Sequence, residues 1–313
     1  MIPTTKTSTI LLNRRSTLRT AAVAGLAAVL HRPLRAIADH HGKGKHGPLP
    51  YANRLGLQLY TVRNQMAEDP VATLEAVAKA GYAQVELMNI DQEAVKLAAI
   101  ARDNGMAVHS AFMNWQAITS PDQPNGPSID ETIDLAQRIG LRHVVFGYIG
   151  KDARNTADKI RKIADTANMA GEKTRHAGMR MCYHNHSFEF EPIDGKRSSF
   201  DLFVKRFDPQ KIEFELDVFW AKLGGRDPEE LMRTLSGRIS QVHLKNLKEG
   251  VETIYDEGLV PADAFQEAGD GIIEMANIMK LAKKIGVDQC HVEQDQSPAP
   301  LDSIRESIDF LRA

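Results

Sequence analysis

Residues 274–295 read EMANIMKLAKKIGVDQCHVEQD. Ile278, Leu281, Ala282 and Ile285 recur at the spacing of about 3.6 that places them on one face, which predicts a helix over Glu274–Ile285. Gly286 supplies the left-handed turn that commonly ends such a helix. Gln289–Val292 follows as a short apolar strand, and Glu293, Gln294 and Asp295 stand just past its end. The unit is helix, glycine, strand, then polar residues at the carboxyl end of the strand.

Toward the amino terminus the same unit recurs. Strands are expected at Leu55–Tyr60, Gln84–Met88, Ala107–Phe112, His143–Phe146, Arg180–Tyr183, Ile212–Leu216, Ser240–Leu244 and Gln289–Val292. Helices are expected at Val71–Lys79, Glu93–Asn104, Ile129–Ile139, Asp152–His176, Ser199–Phe207, Pro228–Leu235, Glu274–Ile285 and Leu301–Leu311. Gly81, Gly105, Gly140 and Gly178 punctuate the helix-to-strand turns. Asp69-Pro70 and Asp227-Pro228 open two helices, Asp capping the free N–H groups and Pro taking the first helical position. Eight strands alternating with helices make the count of a single-domain (β/α)8 TIM barrel, placed over residues 51–313. An open doubly wound sheet is the alternative, but it often carries a Gly-rich phosphate turn after its first strand. Here that strand runs into Gln58-Leu59-Tyr60-Thr61-Val62-Arg63 with no such turn. The span Asn246–Gly271 is long for a βα loop, and loops of that length tend to wall or cover a site.

The 313 residues are 42% hydrophobic and 26% charged with net charge −2, ordinary for a globular protein. With no basic stripe and 6% aromatic residues, nucleic acid is not an expected partner. The first residues read differently. Lys6, Arg14, Arg15 and Arg19 precede a short apolar run, Thr20–Leu30, and then Ala36-Ile37-Ala38, so residues 1–38 read as an export signal. Asn13-Arg14-Arg15-Ser16-Thr17-Leu18-Arg19 resembles the twin-arginine type, which a receptor reads and which is not an anchor. The run is shorter than the roughly 20 residues a membrane span needs. A periplasmic or secreted protein without a stable membrane anchor is expected. Residues 39–50, which hold His40, His41 and His46, read as a flexible linker. Cys182 and Cys290 could pair in an oxidising compartment, but both sit in apolar strand runs where two free buried thiols are expected.

A barrel of this kind carries its site at the carboxyl ends of its strands. Those ends hold Glu86 on the second strand, His109 on the third and His184-Asn185-His186 on the fifth. Glu215-Leu216-Asp217, His243-Leu244-Lys245 and His291-Val292-Glu293 end the sixth, seventh and eighth. Alternation puts His184 with His186, His243 with Lys245, and His291 with Glu293 on common faces. His184, Asp217, His243 and Glu293, two imidazoles and two carboxylates, suit a divalent cation such as Mn, Co, Mg, Fe or Zn with positions left for substrate.

At this point the chain resembles the sugar phosphate isomerase/epimerase family, built on the xylose-isomerase-like barrel that also includes the AP endonuclease family 2 group. The resemblance runs over nearly all of Leu55 to Leu311. It is carried by Gly56-Leu57-Gln58-Leu59-Tyr60-Thr61, Gly81-Tyr82-Ala83-Gln84-Val85-Glu86-Leu87 and Tyr183-His184-Asn185-His186. Further pieces are Leu216-Asp217-Val218-Phe219-Trp220, Val242-His243-Leu244-Lys245-Asn246 and Val292-Glu293-Gln294-Asp295. The resemblance implies metal ligands Glu, Asp, His and Glu from strands five to eight. Asp217, His243 and Glu293 match, whereas His184 stands where epimerases of the family have Glu, with Glu189 as the other candidate for that corner.

The expected chemistry is metal-assisted proton abstraction beside a carbonyl of a small carbohydrate. Glu293 is expected as base, His186 as general acid/base, and Lys245 as the group that stabilises an oxyanion or protonates a leaving oxygen. Glu86, His109, Trp220 and Glu189 are expected to hold substrate. Reprotonation gives isomerisation or epimerisation. Loss of a β-substituent gives a lyase acting on keto-sugars or 3-keto-glycosides. A periplasmic sugar-binding protein without turnover is the reading from another class. A homo-oligomer is compatible with the sequence, and an endonuclease is not favoured, lacking a basic face and further ligands.

Overall fold

The computed structural model describes residues 48–313 apart from 125 and 194. The expected signal over 1–38, and the linker up to residue 47, lie outside the described residues. Eight strands form the barrel: β1 Gly56–Gln58, β2 Gln84–Leu87, β3 Ala107–Phe112, β4 His143–Phe146, β5 Arg180–His184, β6 Ile212–Asp217, β7 Ile239–Leu244 and β8 Gln289–Val292. Each pairs in parallel with its neighbours. β1 also pairs with β8, Gly56 opposite His291 and Leu57 opposite Val292, so the sheet closes. Closure rules out the open doubly wound alternative.

Local chemistry explains the helices between the strands. Asp69 caps Pro70–Ala80 by accepting from the Ala72 N–H at 2.9 Å, and Gly81 ends that helix in the left-handed region at φ 105°. Asp227 caps Pro228–Thr234 in the same way through the Glu230 N–H. The apolar faces of these helices pack on the outer side of the barrel; Tyr183 of β5, for instance, meets Phe146, Phe203 and Phe207. Cys182 and Cys290 are both free and buried. No helix among the described residues is long and apolar enough to cross a membrane.

Three departures from the sequence reading have local causes. β1 stops at Gln58 instead of Tyr60, because the Gln58 side chain accepts from the Tyr60 N–H at 2.8 Å and turns Leu59–Val62 into a 3-10 helix. The single helix expected over Asp152–His176 splits into a turn at Lys151–Ala153 and a helix Ala157–His176, with Thr156 as its cap. Three short helices, Arg63–Glu68, Gln116–Thr119 and Val218–Leu223, have too few turns to show a period. The long span after β7 is ordered: Asn246–Leu247 pairs antiparallel with Phe265–Gln266, which folds the intervening chain into a wall.

Gly56 shows how tightly the interior is filled. A Cβ there would fall 2.1 Å from Cδ2 of His291, so the absent side chain makes room for that ring. Gly56→Ala is expected to destabilise the protein by about 1–3 kcal/mol through overpacking, measurable as a lowered urea midpoint at unchanged m-value.

Candidate active site

A cavity of about 460 Å³ lies over the carboxyl ends of the strands. Gln58, Met88, Phe112, Gly147, His184, Lys245 and Glu293 line it from the ends of seven strands, and Trp220 from the helix that follows β6. Tyr60, Tyr148, Asp295 and Gln296 add to the rim, and the ordered loop after β7 supplies Glu257, Gly258, Val260 and Phe265. That loop is tied across the mouth. Glu257 accepts from the Tyr148 hydroxyl at 2.8 Å and pairs with Arg154 at 2.8 Å.

On the barrel side of the cavity, His184, Asp217, His243 and Glu293 each offer a ligand atom, all lying within 4.8 Å of one another. His184 and Glu293 line the cavity, while Asp217 and His243 are fully buried behind them. The backbone dictates this convergence. Asp217 is opposite His243 in the β6–β7 register, and His243 is opposite His291 in the β7–β8 register, two residues before Glu293. Asp217 also caps the helix Val218–Leu223, its Oδ1 accepting from the Trp220 N–H at 2.8 Å, which leaves Oδ2 for the cluster. Asp217 Oδ2 is buried and makes no hydrogen bond, although Lys245 Nζ lies 3.1 Å away. Nδ1 of His243 lies 3.0 Å from Glu293, and its Nε2 is 2.7 Å from Glu86. A buried N2O2 donor set with a carboxylate oxygen outside any hydrogen bond fits a divalent cation.

The charges are strongly coupled. Burial penalises the charged form of Glu293, but Lys245 and His243 outweigh it and hold the carboxyl down at about 2. Burial likewise opposes the charge on Lys245, yet Asp217, Asp295 and Glu293 overcome it, so the ammonium stays protonated. Its Nζ lies 2.7 Å from both Glu293 and Asp295. Asp295 is lifted by burial, against the pull of Lys245, to about 6. Burial and the neighbouring Lys245 push His186 down to about 3, so its ring is neutral at ordinary pH.

A family described as "Xylose isomerase-like TIM barrel" matches residues 74–313. The chain belongs to that family. An inosose dehydratase from Lacticaseibacillus casei is 25% identical over 214 residues, covering 62% of this chain and 71% of its own. A sugar phosphate isomerase/epimerase from Parabacteroides distasonis superposes with a TM-score of 0.67 at 24% identity, covering 84% of this chain and 94% of its own. An L-ribulose 3-epimerase superposes at 0.59 with 16% identity, covering 82% of this chain and 93% of its own. At those identities the two solved structures speak for the fold.

Within this xylose isomerase-like barrel, three expected substrate contacts fall elsewhere. Glu86 points inward but lies below the cavity, fully buried, accepting from Gln58 Nε2 at 3.0 Å. His109 sits where the β2–β3 register slips between Val85 and Glu86, so Ser110 takes the place opposite Glu86, and His109 is not among the residues lining the cavity. Glu189 is buried beneath the site, accepting from the Tyr183 hydroxyl and, at 2.8 Å, from the His186 N–H. Those contacts occupy its carboxylate, and it takes no place in the ligand cluster, so His184 fills the fifth-strand corner. His186 and Trp220 do line the cavity, their rings 5.1 Å apart. The low pKa of His186 favours the neutral ring, which can both donate and accept a hydrogen bond. Asp295, Tyr148 and Glu257 were missed. Asp295 shares the parity of His291 and Glu293 and could have been found by extending the alternation two residues past β8.

Proposed function

We propose that this chain is a divalent-metal-dependent enzyme that removes a proton beside the carbonyl of a keto-sugar or keto-cyclitol and then expels water or another β-substituent. One observation carries this reading. Glu293 is the single carboxylate of the ligand cluster that reaches the cavity, and the other cluster member there, His184, is an imidazole. The family resemblance gives two-base epimerisation a second glutamate ligand on the fifth strand, and this chain has His184 in that place. Elimination needs one base and one acid, and the site has both. The inosose dehydratase likeness supports the same outcome.

His184, Asp217, His243 and Glu293 would hold the cation, which would supply Lewis-acid chemistry at the substrate carbonyl. Mn, Co, Mg, Fe and Zn all suit the mixed N/O set. The protein does the rest. Glu293, kept ionised by Lys245, takes the proton. Lys245, itself always charged, faces the developing oxyanion. Asp295, with a pKa of about 6, gives a proton to the leaving oxygen. Trp220 Nε1 and His186 Nδ1 are buried without protein partners and are placed to bind substrate hydroxyls. Phe265 and the loop after β7 restrict water.

Asp295→Asn is expected to lower kcat by about 10²-fold. The acid form of Asp295 is the active one, so wild-type kcat should fall as pH rises above about 6, and the variant should lose that limb. A variant with an unchanged pH profile would remove Asp295 from the chemistry. The reaction class is tested by incubating the metal-loaded enzyme with keto-inositols and 3-keto-glycosides and following products by NMR. Dehydration or loss of the aglycone is expected. Inversion at the carbon beside the carbonyl would establish the epimerase outcome of the same deprotonation, and neither product, with no metal bound, would leave a sugar-binding protein. We also propose that residues 1–38 direct export, to be checked by fractionating cells that express the full chain.

A further inference from the structure

We propose that the barrel interior holds a second divalent cation, bound by Glu86, Glu215 and His291 with His243 as a shared fourth donor. Each of these residues offers a ligand atom, and the four atoms lie within 4.8 Å of one another, beneath the cavity cluster. All four side chains are fully buried. This is more than a group of acids. His291 is completely enclosed, and neither of its ring nitrogens has a hydrogen-bond partner. In any protonation state the ring carries at least one N–H, so a buried polar group goes unmet here. Glu86 Oε1 is likewise buried and without a hydrogen bond, and Glu215 Oε1 has only the ring nitrogens of His243 at 3.1 Å and His184 at 3.2 Å beside it, neither in hydrogen-bonding geometry. Leaving such groups unmet is costly, and a cation at their centre relieves that cost.

The geometry also explains why Gly56 stands opposite His291: any side chain there would strike the ring and drive it from the cluster. Glu86 and Glu215 are neighbours of like charge, both facing Nε2 of His243. A divalent ion between them removes that repulsion. His243 joins the two clusters through its two nitrogens. Nδ1 faces Glu293 at 3.0 Å and Asp217 at 3.9 Å. Nε2 faces Glu86 at 2.7 Å and Glu215 at 3.1 Å. With both positions filled, the ring bridges them as an imidazolate, its proton released to solvent. The inner site needs nothing from the proposed reaction, since no inner ligand apart from His243 belongs to the catalytic cluster.

The test is to load the full-length protein with Co(II), measure the metal-to-protein ratio by elemental analysis and collect anomalous diffraction at the cobalt edge. Two ions per chain are expected, with one anomalous peak among Glu86, Glu215 and His291 and the other among His184, Asp217 and Glu293. Glu215→Gln and His291→Leu should each drop the ratio from two to one and erase the inner peak, while Asp217→Asn should erase only the outer one. If a variant does not fold, the wild-type map alone decides. A ratio of one with the single peak at the outer cluster, the inner space holding water, would overturn the second site and leave the proposed function intact. A single peak at the inner cluster would support this site and sink the outer one.

Discussion

Glu293→Gln should lower kcat by about 10⁴-fold, the upper end of what a general base contributes. Gln keeps the shape and one carbonyl oxygen for the cluster, but it cannot accept the proton. Glu293 lines the cavity, lies 3.0 Å from His243 and 2.7 Å from Lys245, and is held ionised with a pKa of about 2. At saturating metal the loss should appear in kcat and not in KM, because the missing interaction acts only as the proton leaves. Elemental analysis of the variant separates lost chemistry from lost metal. A variant that retains metal and turns over at more than a tenth of the wild-type rate would show that the base is elsewhere.

Lys245→Met should be the most destabilising single change in the site, measured on the metal-free protein. Met keeps the length and packing of the stem while deleting the charge. Lys245 is 1% exposed and lies 3.1 Å from Asp217 Oδ2 and 2.7 Å from each of Glu293 and Asp295. Removing one partner of a buried ion group costs about 3–5 kcal/mol, because the others stay buried without a counter-charge. For a domain of this size that corresponds to a fall in Tm of about 10 °C. The pH dependence follows from the sign of the Glu293 shift. Its folded pKa, about 2, lies below the ordinary 4.5, so its contribution is present above 4.5 and is lost as pH falls toward 2. In Lys245→Met that acid-limb loss should shrink, since the first of the two groups holding Glu293 down is gone. A Tm within about 2 °C of wild type would contradict the charge network.

The barrel was legible because each of its units repeats the pattern of 274–295, and β3, β4 and β8 begin and end where the apolar runs do. Asp217, His243 and Glu293 were legible because parity along a strand fixes which way a side chain points. Parity fails where register slips. One extra residue between Val85/Glu86 and Val108/Ser110 puts Ser110, and not His109, opposite Glu86, and no feature of the sequence marks that slip. Direction is also not depth. Glu86 points inward, yet it is buried against His243 and is not among the residues lining the cavity. The inner cluster was hidden for the same reason, since Glu86, Glu215 and His291 come from β2, β6 and β8 and meet only across the closed barrel. Glu257 lies in the span read as a site wall, but its role there depends on Tyr148 and Arg154, more than a hundred residues away in sequence.

The central claim is that a metal held by His184, Asp217, His243 and Glu293 enables Glu293 to take a proton from the carbon beside a carbonyl. The most direct measurement uses a keto-inositol deuterated at that carbon and follows release of the label into solvent with native, chelator-stripped and metal-restored protein. Release by the native enzyme, its loss on stripping and its return with the divalent ion are predicted. Turnover that survives stripping, or product that keeps the label, would contradict the account.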